Sequence, residues 1–211
     1  EQVVEYIENL HFDAEDIDYL RREAGLTEEC LDALRDFRFT GDIYSVPEGT
    51  IVFPNEPILI VRAPLAQAQL IEPALLNIVN HQTLIATKAS KVKMSAGDAA
   101  VSEFGLRRAQ GPDAGIYGAR ASVIGGCSGT SNVLAGQMFD IPIKGTMAHS
   151  WIMSFDSELE AFRKFAEIYP DNTLLLVDTY DTLRSGVPNA IKVFDELKAA
   201  GRKPVGIRLD S

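Results

Sequence analysis

From Gly97 onward the sequence repeats one rhythm. Brief β-like runs at 99–103, 128–131, 142–146, 173–178 and 205–209 are separated for the most part by helical stretches at 114–124, 157–168 and 188–200. Parallel strands need a crossover long enough to hold a helix. The alternation thus predicts βα units and a parallel sheet, closed as a barrel or open as a doubly wound fold. The last unit is unfinished, because no helix follows the run that ends at Asp210-Ser211, and the chain reads as a truncated piece of a longer protein.

The first third has another texture. Residues 1–36 read as acidic amphipathic helices, with Val4, Ile7 and Leu10 at helical spacing and Thr27 placed to cap a helix carrying Leu31 and Leu34. Short β-rich runs at 43–46, 50–53 and 58–61 are broken by Pro47-Glu48-Gly49 and Pro54-Asn55-Glu56-Pro57, which predicts a small antiparallel meander. From Leu65 to Lys93 a broad apolar stripe, including Leu70, Leu75, Leu76, Ile78, Val79, Leu84 and Ile85, predicts a buried pair of bridging helices. Residues 1–60 hold 15 acids against 4 bases, a net −11, whereas the remainder carries +1 within the overall −10. The break in charge and texture favours two domains, with any anion site in the second part.

With 46% apolar and 24% charged residues, the chain has the composition of an ordinary globular protein. Its strongly apolar stretches, 173–177 and 58–61, fall far short of the ~20 residues that cross a bilayer, and no basic-then-apolar leader opens it. No membrane span is expected, and the chain reads as cytoplasmic. The acidic balance argues against general nucleic-acid binding, which requires a basic face. Cys30 and Cys127 are too few for a disulfide framework and are expected as buried reduced thiols; neither they nor His11, His81 and His149 show metal-ligand spacing. The segment Gly125-Gly126-Cys127-Ser128-Gly129-Thr130 has the glycines of a phosphate loop. It has neither the Lys-Ser/Thr ending of a Walker sequence nor a dinucleotide fingerprint, which leaves tight passage into a strand as its role.

In a parallel α/β fold, function concentrates where loops converge at the C-terminal ends of strands. The first predicted strand ends in Glu103-Phe104-Gly105-Leu106-Arg107-Arg108, an aromatic ring beside two guanidinium groups. The second ends at Gly129-Thr130-Ser131-Asn132 and the third in Gly145-Thr146-Met147-Ala148-His149-Ser150. The fourth gives Asp178-Thr179-Tyr180-Asp181-Thr182, and the fifth Arg208-Leu209-Asp210-Ser211. Together these ends offer a face for a flat ring, arginines for carboxylate or phosphate, a histidine, and carboxylates for magnesium or sugar hydroxyls. Each also has a plainer reading: Arg107-Arg108 as surface charge, His149 as structural, Asp178 and Asp181 as helix caps, Phe104 as core. Coincidence at five successive strand ends weighs against the plain readings as a set.

At these positions the sequence resembles the nicotinate phosphoribosyltransferase family of type II phosphoribosyltransferases. The matching stretches are 75–90 (LLNIVNHQTLIATKAS), 104–111 (FGLRRAQG), 145–151 (GTMAHSW), 176–182 (LVDTYDT) and 206–211 (GIRLDS), in the family's order and across essentially the whole chain. The resemblance implies an irregular TIM-like α/β barrel preceded by a smaller, sandwich-like α+β domain. On that reading residues 1–95 are the remainder of the N-terminal domain with its bridging helices, and 96–211 are the first part of the barrel. It further implies a homodimer that makes nicotinate mononucleotide and pyrophosphate from nicotinate and phosphoribosyl pyrophosphate, with coupled ATP hydrolysis.

Carried over by residue, the resemblance makes His149 the histidine that ATP phosphorylates. It sets Arg107 and Arg208 toward nicotinate and the phosphoribosyl donor, stacks Phe104 on the pyridine, and places Asp178 and Asp210 near the ribose and pyrophosphate, where the donor's magnesium also sits. Ser131 stands where the nicotinamide-using relative has an aspartate; a carboxylate there would repel a substrate carboxylate, so neutral Ser131 favours nicotinate. The implied chemistry breaks the bond from the anomeric carbon to pyrophosphate through an oxocarbenium-like state, which requires a steadied polyanionic leaving group and a positioned pyridine nitrogen. The family's opening segment and its phosphate-binding loops lie outside residues 1–211, so these residues alone are not expected to turn over. The competing readings are a phosphoribosyltransferase for nicotinamide or quinolinate, and a non-catalytic nucleotide-binding barrel.

Overall fold

The structure, a computed structural model, describes residues 1–210 and parts into two compact units, Glu1–Ile143 and the segment from Lys144 on. In the first unit three short helices, α1 (Gln2–Asn9), α2 (Ala14–Glu23) and α3 (Glu28–Arg35), precede strands β1 (Asp42–Ser45) and β2 (Leu59–Arg62). Asp13 and Asp16 close a capping box on α2. Thr27 caps α3 as expected, its side chain accepting from the Cys30 N–H. Cys30 itself is exposed, against expectation, because it lies on the outer side of α3 while Leu31 turns fully inward.

Strands β1 and β2 pair antiparallel, Asp42 opposite Arg62 and Ser45 opposite Leu59. The expected third run at 50–53 is not a strand. Its backbone donors turn to local acceptors, Thr50 N–H to the Pro47 carbonyl at 3.2 Å and Phe53 N–H to the Glu56 carboxylate at 3.0 Å, so no ladder forms and the meander reduces to a hairpin.

The bridging region is one helix, α4 (Leu65–Ala96), and not a pair. It contains no glycine to reverse the chain before Gly97, which ends it at φ +57. Pro73 removes one donor inside it, yet Ile71 and Leu75 on either side are buried and hold the helix down against Ile7, Phe39, Ile43, Leu59 and Val61. The apolar stripe is wider than the buried face: Leu76 and Leu84 are each 61% exposed.

Helix α4 packs along α5 (Pro112–Ile124), where Gly125 comes so close that a Cβ would lie 2.5 Å from the Ala86 carbonyl oxygen. That packing is why the first compact unit extends to Ile143. Within it the predicted runs at 99–103, 128–131 and 142–146 shrink to single parallel bridges, Glu103 with Thr130 and Thr130 with Ile143. Gly126, at φ +104, makes the tight turn out of α5 toward Thr130, the role expected of the glycine segment. A further helix, α6 (Val133–Phe139), is capped by Asn132, whose side chain accepts from the Ala135 N–H at 3.1 Å.

The second unit holds α7 (His149–Met153), α8 (Glu158–Ile168), β3 (Leu174–Leu176), a π-helical turn (Thr182–Gly186), α9 (Val187–Ala199) and β4 (Gly206–Arg208). Strands β3 and β4 pair parallel across α9, with Leu174 opposite Gly206 and Leu176 opposite Arg208, the βα rhythm that the sequence predicts. Phe162, Ile152, Leu175 and Val177 are fully buried in one core with Val193 and Ala190. Each such large side chain contributes about 1.5–3 kcal/mol. Among the described residues no helix is long and apolar enough to cross a membrane.

Candidate active site

In the second unit the parallel pairing runs one step past β3, where the Val177 N–H donates to the Arg208 carbonyl at 3.1 Å. Asp178 and Leu209 leave the sheet together. The Asp210 N–H then donates to Asp178 Oδ2 at 2.6 Å, and His149 Nε2 stands 3.0 Å from Asp178 Oδ1. Arg208 reaches across in turn: Nη1 donates to the Thr146 hydroxyl, and Nη2 lies 3.1 Å from Asp210 Oδ1. Four of the residues singled out in the sequence, His149, Asp178, Arg208 and Asp210, are thus one connected set. Thr146, within a motif but not assigned a role, completes it.

Two close contacts fix Asp178. Gly186, at the end of the π-helical turn, lies so near that a Cβ would come within 1.8 Å of the Val177 carbonyl oxygen. Glu158, buried at the start of α8, accepts from the Ser185 hydroxyl and from Asn189 Nδ2, the latter at 3.0 Å, and so anchors the same turn. Neither residue was legible beforehand, since an acid opening a helix reads as a solvated first-turn charge. Asp181 does take the plainer role, capping the turn through the Leu183 and Arg184 N–H groups.

Burial pushes the Asp178 carboxyl up, but the Asp210 N–H and the His149 ring outweigh it and hold the group below its ordinary 3.8. An ionised carboxylate only accepts, so Nε2 of His149 carries the proton, and in the neutral ring Nδ1 keeps the lone pair. The His149 side chain is 40% exposed.

In the first unit the ends of three neighbouring parallel segments form a second set. Glu103 N–H donates to the Gly129 carbonyl at 2.9 Å, Ser131 N–H to the Glu103 carbonyl at 3.0 Å, and Thr130 N–H to the Pro142 carbonyl at 3.0 Å. Phe104 and Ser131 directly follow the paired residues Glu103 and Thr130. Phe104 is 38% exposed, so it is not core. Arg107 projects from a short 3-10 turn (Leu106–Arg108), is exposed, and makes no ion pair among the described residues. The Cys127 thiol nearby is pushed up by burial and by the charge of Glu103.

Among the described residues no group of three or more His, Cys, Asp or Glu side chains is placed to hold a metal. Asp178 and Asp210 are already engaged by a backbone N–H, an imidazole and a guanidinium. Such a pair suits an ion that arrives on substrate phosphates, not a dedicated cage.

Residues 1–80 match the nicotinate phosphoribosyltransferase N-terminal domain, and residues 99–204 the nicotinate phosphoribosyltransferase family. A nicotinate phosphoribosyltransferase of Bacillus subtilis is 54% identical over 211 residues, all of this chain and 43% of that protein. Nicotinate phosphoribosyltransferase pncB2 of Mycobacterium tuberculosis is 47% identical over 99% of this chain and 44% of its own length. The crystal structure of human nicotinic acid phosphoribosyltransferase superposes with a TM-score of 0.90 at 31% identity, covering 99% of this chain and 52% of that one. The chain thus spans less than half the length of these two bacterial relatives. On the match of both segments, it belongs to the nicotinate phosphoribosyltransferase family.

Proposed function

We propose that the protein to which this chain belongs transfers the phosphoribosyl group of phosphoribosyl pyrophosphate to nicotinate, with ATP hydrolysis coupled through His149. The observation that carries the reading is the His149–Asp178 pair at the end of β3. With Nε2 protonated against an ionised Asp178, Nδ1 is the nucleophile: it attacks the γ-phosphorus of ATP, ADP leaves, and Asp178 steadies the cationic ring that forms. Phosphohistidine adds charge and acceptor oxygens next to Arg208 and Asp210, and its later hydrolysis releases phosphate.

In the transfer step the pyridine nitrogen forms the bond to the anomeric carbon as the bond to pyrophosphate breaks. Phe104 and Arg107 hold the ring and the carboxylate of nicotinate, and neutral Ser131 admits that carboxylate. Arg208 faces the donor, and Asp178 and Asp210 lie toward its ribose and pyrophosphate. Asp178 and Asp210 would lie beside a magnesium ion brought on the donor's phosphates, which would neutralise part of their charge. The protein is cytoplasmic and works as a homodimer.

The test uses the full-length protein. Incubation with γ-labelled ATP should leave acid-labile phosphate on His149, absent in His149→Ala, and pyrophosphate release should depend on nicotinate rather than nicotinamide or quinolinate. A protein that carries no such label and prefers another pyridine would overturn the assignment.

A further inference from the structure

Glu103 has no role in the proposed reaction, yet it is the most tightly engaged acid at the strand ends of the first unit. Its Oε2 accepts from the Thr130 hydroxyl at 2.6 Å, and its Oε1 accepts from the Gly105 N–H. Thr130 is fully buried, and its hydroxyl oxygen accepts in turn from the Asn132 N–H at 3.0 Å. A continuous chain of hydrogen bonds therefore runs from Gly105 through Glu103 and Thr130 to Asn132. It begins one residue after Phe104, and Ser131 lies between its last two members. Gly105 leaves room for the clamp, since a Cβ there would come within 2.8 Å of Glu103 Oε1.

Only single bridges join these segments, where β3 and β4 have a ladder. Backbone pairing alone fixes little beyond the bridged residue, so side chains must orient the turns that come next. A carboxylate that accepts from a backbone N–H on its own turn and from a hydroxyl on the neighbouring strand locks both turns to one reference. Bonds to a charged acceptor are about twice as strong as neutral ones. The neighbouring Cys127 thiol, pushed up by burial and by Glu103, adds no competing charge.

We infer that Glu103 and Thr130 are positioning residues for the pyridine, holding the Phe104 ring and Ser131 at the spacing that a flat, carboxylate-bearing substrate requires. The inference rests on the proposed function, which assigns Phe104 and Ser131 to nicotinate. It predicts an effect confined to one substrate.

In the full-length protein, Glu103→Ala and Thr130→Val should each raise the KM for nicotinate about tenfold, the loss expected from a broken hydrogen bond to a charged group. The KM for phosphoribosyl pyrophosphate and the ATP-dependent labelling of His149 should stay within twofold. Thr130→Ser, which keeps the hydroxyl, should restore the nicotinate KM and so keeps the test open if Glu103→Ala does not fold. A nicotinate KM unmoved in Thr130→Val, a parallel rise for both substrates, or a fall in kcat alone would overturn the inference. A wild-type protein inactive with nicotinate would instead overturn the function on which it rests.

Discussion

The strand ends of the two compact units solve opposite problems. In the second, the four residues of the set hold one another: His149 pairs with Asp178, Asp178 accepts from the Asp210 N–H, and Asp210 pairs with Arg208. In the first, Arg107 is exposed without an ion pair among the described residues, and Phe104 presents a partly open ring. A histidine that must become a nucleophile needs its tautomer and orientation fixed in advance, which takes a closed circuit of partners. A surface that must receive an anionic flat ligand needs a cation still to be neutralised. The sharpest way to break this contrast is Asp178→Asn in the full-length protein. It should slow phosphorylation of His149 by between about 100-fold and 10,000-fold, the range for a lost acid–base arrangement, in a rapid-quench assay with labelled ATP. The nicotinate KM should move little, and a large change there would merge the two sets functionally.

The next effect is on stability. At Gly186 the added methyl of Gly186→Ala would meet the Val177 backbone, which cannot rotate away as a side chain could. The cost should be about 2 kcal/mol, as for overpacked cores, read from the urea midpoint. The equivalent change Gly105→Ala meets only the end of the Glu103 side chain and should cost less. Equal costs at both glycines would mean that the first unit's strand ends are as rigid as the second's. Arg107→Ala then tests the open guanidinium: the KM for nicotinate should rise about tenfold, as expected for a lost charge-assisted bond, with no change for the phosphoribosyl donor.

Much of this was legible in the sequence. The alternation after Gly97 marks the parallel pairing of β3 with β4 because two short apolar runs are separated by a stretch long enough to hold the crossover helix α9; Leu175 and Leu176 of β3 are buried, while Ile207 of β4 is 44% exposed. Residues 50–53 depart from the expected strand because, although β-branched and aromatic residues favour strands, the turns at Pro47 and Pro54-Asn55 take up the backbone donors locally. The connected set of His149, Asp178, Arg208 and Asp210 could be named because each stands at or shortly after the end of a β-like run in the sequence. Glu158, Gly186 and Thr130 could not, since their roles depend on approaches between segments that are far apart in sequence.

The smallest expected effect is on acid stability. Because its bonds to the Asp210 N–H and His149 outweigh burial, the Asp178 carboxyl titrates below 3.8 in the folded state. A depressed carboxyl contributes stability wherever the unfolded chain's group is also ionised, above its ordinary value, and loses it as pH falls through the lower folded value. Unfolding curves for the wild type and Asp178→Asn should therefore stay apart at about pH 5 and converge below about pH 4. Ser131→Ala, in the first unit, removes no titrating group, and its separation from the wild type should not change with pH. If the Asp178→Asn difference persisted undiminished to about pH 2, the closed circuit of the second unit would owe its order to packing around the π-helical turn rather than to charge.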